Sequence, residues 1–344
     1  MYVNYFIICQ LGKKGSFFIK ASDFIMYYIG IDLGGTNIAV GVIDEKYNLL
    51  VKGSVPTGAE RDGKEIIKDM ADLCAKLVAE ANLTFDDIEY AGIAAPGSID
   101  PEKGIVTYAN NLPFNNFAIA DILKSFIPIK KVYLENDANA AALGEAVAGA
   151  ARGVKHAVMI TLGTGVGGGI IIDGKIYSGF NYKGGELGHI VIQHGGRPCS
   201  CGRLGCWEAY SSATGLINMT REKLDDCNKK GLATIMNGMV ASDGKVSGKT
   251  AFACMKQGDV YAKEVVDEYI SYLACGLSNI INVFQPEILV IGGGICNEKE
   301  NLTNPLNAAI ANSTYGGNGD KCTTLKIAEL GNDAGIIGAA VLGL

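Results

Sequence analysis

No stretch of this chain approaches the ~20 consecutive apolar residues that a membrane-spanning helix needs. The N-terminal apolar run Tyr5-Phe6-Ile7-Ile8-Cys9 falls short of the roughly 7–15 residues of a secretory signal core. A basic block is also missing. Lys and Arg number 30 against 36 Asp and Glu, for a net charge of −6, which argues against nucleic acid as a partner because a phosphate backbone is met by clustered cations. Proline is scarce, at eight residues in 344, while glycine reaches 46 without low complexity. That balance suggests tight turns and backbone-lined ligand sites rather than disorder. Ten cysteines with no secretory signal fit a reducing cytoplasm better than a disulfide framework. The length suffices for two domains, each with its own core.

Residues 1–25 show no periodicity and read as a disordered extension ahead of Met26, with a short docking strand as the alternative. Tyr27–Asp32 and Ile38–Ile43 read as paired strands across a glycine turn. Ile66, Met70, Leu73 and Leu77 share one helical face, which predicts a helix over 63–81. Tyr90–Ala94 and Lys131–Leu134 are further strands, the second passing through Glu135-Asn136-Asp137 into an alanine-rich helix. Then strand, glycine turn and strand recur at Val158–Leu162, Gly163-Thr164-Gly165 and Gly167–Ile172, a sign of internal duplication. A long helix near 260–283, a strand at Ile288–Ile291 and a terminal helix after Gly335 complete the alternation, which predicts an α/β fold.

The segment that most narrows the chemistry is His189 with Cys199, Cys201 and Cys206. One imidazole and three closely spaced thiols suit a tetrahedral structural Zn²⁺; unpaired core thiols are the alternative. His194 competes as a ligand by proximity, but its place before Gly195-Gly196 suits a turn. The other cysteines have no ligand spacing and are expected in the core. Glu186, His189 and Glu208 together can accept hydrogen bonds from several hydroxyls, as a sugar presents them. Glu208 could equally be a surface acid.

Asp32 ends a strand that turns through Gly34, Gly35, Thr36 and Asn37. Backbone amides in such a turn can converge on phosphate oxygens, and the acid can hold Mg²⁺; an ordinary hairpin with an exposed acid is the other reading. Gly163-Thr164-Gly165-Val166-Gly167-Gly168 matches the dinucleotide fingerprint, but that fingerprint must open a helix. Here a β-branched run follows, so a second phosphate hairpin fits better. Asn136 and Asp137 sit where a strand meets a helix, and one of them is expected to cap it. Asp137 could instead project into a cleft as a base for phosphoryl transfer, which asks for positioning more than strong basicity.

These blocks together resemble the ROK family of sugar kinases and related repressors. They include Asp32-Leu-Gly-Gly-Thr-Asn37, Gly92-Ile-Ala-Ala-Pro-Gly97, Glu135-Asn-Asp-Ala-Asn-Ala140 and Leu162-Gly-Thr-Gly-Val-Gly-Gly-Gly169. Gly185-Glu-Leu-Gly-His189, the cysteine segment through Glu208, Ile291-Gly-Gly-Gly294 and Leu330-Gly-Asn-Asp-Ala-Gly335 extend the match. The resemblance implies an actin-like ATPase (ribonuclease H-like) fold, with two lobes around an active-site cleft. Residues 26–136 would form the small lobe, completed by the C-terminal helix at about 331–344, and 137–330 the large lobe carrying the zinc loop. It implies Asp137 as general base toward a hexose 6-hydroxyl, and Asn111, Asn136, Glu186, His189 and Glu208 as sugar contacts. ATP with Mg²⁺ would lie on the two hairpins, with Gly292, Gly293 and Gly294 under adenosine. A cytoplasmic homodimer acting on D-glucose is the expectation; fructose, mannose, allose, N-acetylmannosamine and N-acetylglucosamine are the alternatives. A sugar-responsive repressor would need a DNA-binding domain, and Met1–Ile25 shows neither helical periodicity nor a basic pattern.

Overall fold

The structure is a computed structural model that describes residues 25–316 and 322–344 in full, and residues 6–9 and 17–20 as backbone. Those two short pieces, β1 (Phe6–Cys9) and β2 (Phe17–Lys20), pair antiparallel as a separate sheet. The remainder of the expected N-terminal extension lies outside the described residues.

The first main sheet opens with an antiparallel meander of β3 (Tyr27–Leu33), β4 (Asn37–Asp44) and β5 (Leu49–Pro56). After α1 (Gly63–Glu80), β6 (Ile88–Ala95) joins β3 in parallel. A small sheet of β7 (Ser98–Asp100), β8 (Ile105–Tyr108) and β9 (Asn115–Phe117) follows, then α2 (Ile119–Phe126). β10 (Val132–Asn136) pairs parallel with β6, giving the order β10-β6-β3-β4-β5. Ile29, Ile31 and Leu33 pack into one core with the α1 residues Ile66, Met70, Leu73 and Leu77. Burial on both faces explains the nearly continuous apolar run of β3.

α3 (Asp137–Ala148) then leads to the second sheet. β11 (Ala157–Leu162), β12 (Val166–Ile172) and β13 (Lys175–Ile176) form its meander. A helical region of α4 (Glu208–Ser211), α5 (Ala213–Lys230), α6 (Ile235–Asp243), α7 (Thr250–Met255) and α8 (Val260–Phe284) is inserted before β14 (Ile288–Gly292). α9 (Glu300–Ser313), β15 (Thr324–Ile327) and α10 (Ala334–Ala340) end the chain. The order is β13-β12-β11-β14-β15, with β14 parallel to β11 and β15 parallel to β14. Each sheet is therefore a three-stranded meander whose first strand is extended on its other side by two parallel strands in succession. The duplication suggested by the glycine turns extends to both sheets.

The C-terminal helix belongs to the packing of the first sheet. A side chain at Gly30 or Gly92 would collide with the carbonyls of Ile336 and Ala339, so these glycines let α10 lie directly on β3 and β6. α3 touches α10 on one side and the second sheet on the other, since a side chain at Gly338 would strike Ala140 and one at Gly169 would strike Ala142. Its N-terminus is thus held between the two halves. Among the described residues no helix is long and apolar enough to cross a membrane.

Candidate active site

β10 passes into α3 without a loop, ending at Asn136 as the helix begins at Asp137. Either residue could have capped the helix, and Asn136 does so. Its Oδ1 accepts from Ala138 N at 2.9 Å and Asn139 N at 3.3 Å, while its Nδ2 donates to the Gly97 carbonyl at 3.2 Å. Asp137 accepts from Ala138 N at 2.8 Å. Burial raises its pKa above the ordinary value, and backbone hydrogen bonding partly offsets that rise. Asp32, at the end of β3, shares the same space. Burial first, and the charge of Asp137 second, push its carboxyl up to about 6. Its carboxylate fills the volume that a side chain at Gly335 would need.

Two cavities meet at Asp137. The larger, 930 Å³, is lined by Asp32, Gly163, Gly165 and the run Gly292–Gly294. The smaller, 390 Å³, is lined by Asn111, Asn136, Asn139 and Tyr182. Asp137, Glu186 and Glu208 wall both, whereas His189 lines the larger one. Gly34 and Asn37 line a third cavity of 530 Å³ that shares Asp32 with the first. Gly35 and Thr36 line none of the three, and Thr164 lies on the far side of its turn, its carbonyl accepting from Thr214 Oγ1 at 2.8 Å.

His189, Cys199, Cys201 and Cys206 converge, with all four ligand atoms within 4.8 Å of one another. His189 Nδ1 lies 3.6 Å from Cys199 Sγ, and Cys201 Sγ lies 3.6 Å from Cys206 Sγ. Tetrahedral zinc with ~2.3 Å Zn–S bonds sets its ligands about 3.7 Å apart, so the donor set fits that ion in both chemistry and size. His194 is exposed and stands outside the cluster. Cys275 and Cys322 are exposed, which corrects the expectation that every remaining cysteine lies in the core. The Glu208 carboxylate joins the cysteine segment to the second glycine turn. Oε2 accepts from Val166 N at 3.0 Å, while Oε1 lies 3.2 Å from Ser200 Oγ and 3.7 Å from Cys199 Sγ.

The family model described as ROK family matches residues 28–344. The chain belongs to the ROK family. A glucokinase from Thermotoga maritima is 37% identical over 320 residues, covering 91% of this chain and 95% of the relative. A ROK hexokinase from Thermus thermophilus superposes with a TM-score of 0.77 at 33% identity, covering 92% of this chain and 97% of the other. A ROK family glucokinase from Streptomyces griseus, solved in complex with glucose and AMPPNP, gives a TM-score of 0.74 at 32% identity, with 92% and 98% covered. The fold is the actin-like ATPase fold of the ROK family, two lobes about a cleft.

Several lining residues were given no role by the sequence. Asn110, Asn139 and Tyr182 line the smaller cavity, and Asn297, Lys299 and Asn332 the larger. Asn139 carried a usable signal, since it follows Asn136 by three positions and so shares its helical face. It donates to Glu135 Oε1 at 3.0 Å, and its own Oδ1 is buried without a partner among the described residues. Tyr182 lies on an irregular loop, where no periodicity marks it.

Proposed function

We propose that the chain is an ATP-dependent hexokinase that phosphorylates the 6-hydroxyl of a hexose, with D-glucose preferred. The observation that carries this reading is the position of Asp137 on the wall shared by a glycine-lined cavity and a polar one. ATP occupies the first and the sugar the second. As the sugar O6 attacks the γ-phosphorus, the bond from phosphorus to the β–γ bridging oxygen breaks, ADP leaves and the Asp137 carboxylate takes the hydroxyl proton. Its burial-raised pKa suits a base whose main task is orientation. Asn111, Asn136, Glu186 and Glu208 bind the ring hydroxyls. His189 turns Nδ1 toward Cys199 and stands on the wall of the larger cavity, so its free Nε2 would meet the sugar where the two cavities join at Asp137.

Asp32 would hold Mg²⁺ with the nucleotide, which supplies charge neutralisation at the phosphates. Zn²⁺ on His189, Cys199, Cys201 and Cys206 would fix the loop that carries Glu208. A cytoplasmic homodimer is the assembly proposed, supported by the family resemblance.

A coupled assay of ADP release across glucose, mannose, fructose, N-acetylglucosamine and N-acetylmannosamine tests the reading. Glucose is expected to have the highest kcat/KM. An N-acetylated sugar ahead by about tenfold or more would overturn the glucose preference alone. No ADP release with any sugar would overturn the kinase and favour a sugar-responsive regulator.

A further inference from the structure

Lys299 joins the single turn at Gly294–Glu298 to α9 with φ 50° and ψ −122°. L side chains rarely adopt that region, and holding one there costs of order 1–3 kcal/mol. The position is also the start of α9, where the helix dipole disfavours a cation. No side-chain cap bond is made there, although Ser, Thr, Asp or Asn would supply one. Nor does an ion pair compensate. The adjacent Glu298 is bound to Lys256 at 2.5 Å, and the Lys299 ammonium has no salt-bridge partner among the described residues. A residue that breaks local rules without local compensation points to a role elsewhere.

That role follows from where it stands. Lys299 lines the 930 Å³ cavity, just beyond Gly292–Gly294. Among the described residues lining it, Lys299 is the one lysine or arginine, against the carboxylates of Asp32, Asp137, Glu186 and Glu208. A cavity so acidic repels a polyanionic ligand unless cations offset it.

We propose that Lys299 is a nucleotide-positioning residue, its ammonium holding the phosphate chain of the bound nucleotide from the side of the cavity formed by Gly292–Gly294. This rests on the kinase reading above. The backbone strain is retained because glycine, which would relieve it, carries no charge.

The test uses the full chain and four proteins: wild type, Lys299→Met, Lys299→Arg and Lys299→Gly. KM for ATP, Kd for ADP at several KCl concentrations, KM for glucose at saturating ATP, and Tm are measured for each. Lys299→Met is expected to raise KM for ATP and Kd for ADP about ten- to hundredfold, the loss of one charge-assisted contact, and to flatten the salt dependence of ADP binding. KM for glucose stays put, and Lys299→Arg recovers most of the loss. Lys299→Gly loses the same nucleotide affinity while raising Tm, because the backbone strain is relieved. Unchanged ADP affinity and salt slope in Lys299→Met, or an arginine variant as weak as the methionine one, overturns the proposal. Wild-type turnover in the same assay judges the kinase reading separately. An active wild type with an insensitive Lys299→Met defeats only the role of Lys299.

Discussion

The two glycine turns, one in each sheet, stand on the same strand plan but are held differently. The turn between β3 and β4 closes on itself, with Gly34 N donating to the Asn37 carbonyl at 2.9 Å. The end of β5 braces it: Thr57 N donates to the Thr36 carbonyl at 2.8 Å, and Thr57 Oγ1 to that of Gly34 at 2.7 Å. All of this lies within one meander. The turn between β11 and β12 also closes on itself, with Gly163 N donating to the Gly165 carbonyl at 3.0 Å, but its further braces come from the helical insertion. Ala213 N donates to the Gly163 carbonyl at 2.9 Å, Thr214 Oγ1 to that of Thr164, and Val166 N to Glu208. Even the matching strand position differs. Asp32, one residue before the end of β3, pairs with Ala39, and its counterpart in β11 is Thr161, paired with Gly167. The first turn thus brings an acid and is locally self-sufficient. The second is fastened to the segment that carries the cysteines and Glu208, so the second glycine turn and the polar cavity share a support on that side only.

The largest effect is expected between the two turns, at Asp137. Asp137→Asn should lower kcat by on the order of 10²–10⁴ with sugar affinity nearly unchanged, since Asn136 rather than Asp137 caps α3. Steady-state kinetics paired with calorimetric glucose binding checks this. Near-wild-type turnover would reduce Asp137 to a cavity wall.

Next comes the charge of the first turn. The carboxyl of Asp32 is raised from its ordinary 3.8 to about 6 by burial and by Asp137, so the folded protein favours its protonated form. Its stabilising contribution is then fully present below about pH 4 and is lost as the pH rises through about 6. Asp32→Asn should remove that loss. In metal-free protein the variant gains on the order of 1–3 kcal/mol over wild type at pH 7–8, and the gain vanishes toward pH 4. Turnover should fall as Mg²⁺-nucleotide binding weakens. Tm measured across pH 4–8 tests the claim, and a pH-independent difference would show that the carboxyl is well solvated.

The second turn's dependence on its distant support is tested through the metal. Chelation or Cys201→Ser should raise KM for the sugar by roughly 10–100-fold, ahead of any change in KM for ATP. Metal analysis of fresh protein should find about one zinc per chain. Simultaneous loss of both affinities would mean that the second turn has no hold besides Glu208, contrary to the bonds from Ala213 and Thr214.

How much of this was legible in the sequence depended on whether a residue's task was local. The paired strands at Tyr27–Asp32 and Ile38–Ile43, the α1 face and the long α8 all declare themselves by their apolar patterns, and the observed bounds differ from the expected ones by only a residue or two. The cysteine cluster was legible because its thiols lie close along the chain. The strand at Thr324–Ile327 was not, for its alternating burial is short and its partner β14 lies more than thirty residues earlier. Lys299 was equally hidden, since its unusual backbone exists only in three dimensions. The choice between Asn136 and Asp137 as cap had no answer in composition, because both residue types cap well; the geometry of the strand end decided it.

The smallest expected effect is also the finest probe of the shared support. Glutamine at position 208 keeps one carbonyl oxygen, enough to go on accepting from Val166 N, but it places an amide donor where Oε1 now lies near Ser200 and Cys199. Hydroxyl groups of the sugar lose an acceptor there while the turn keeps its brace. Glu208→Gln should therefore raise KM for glucose about tenfold, roughly 1.4 kcal/mol, with a smaller fall in kcat and little change in KM for ATP. Glu208→Ala removes the Val166 partner as well and should raise both KM values. Two variants with the same profile would show that the carboxylate's charge alone matters, and the second turn would then be as self-sufficient as the first.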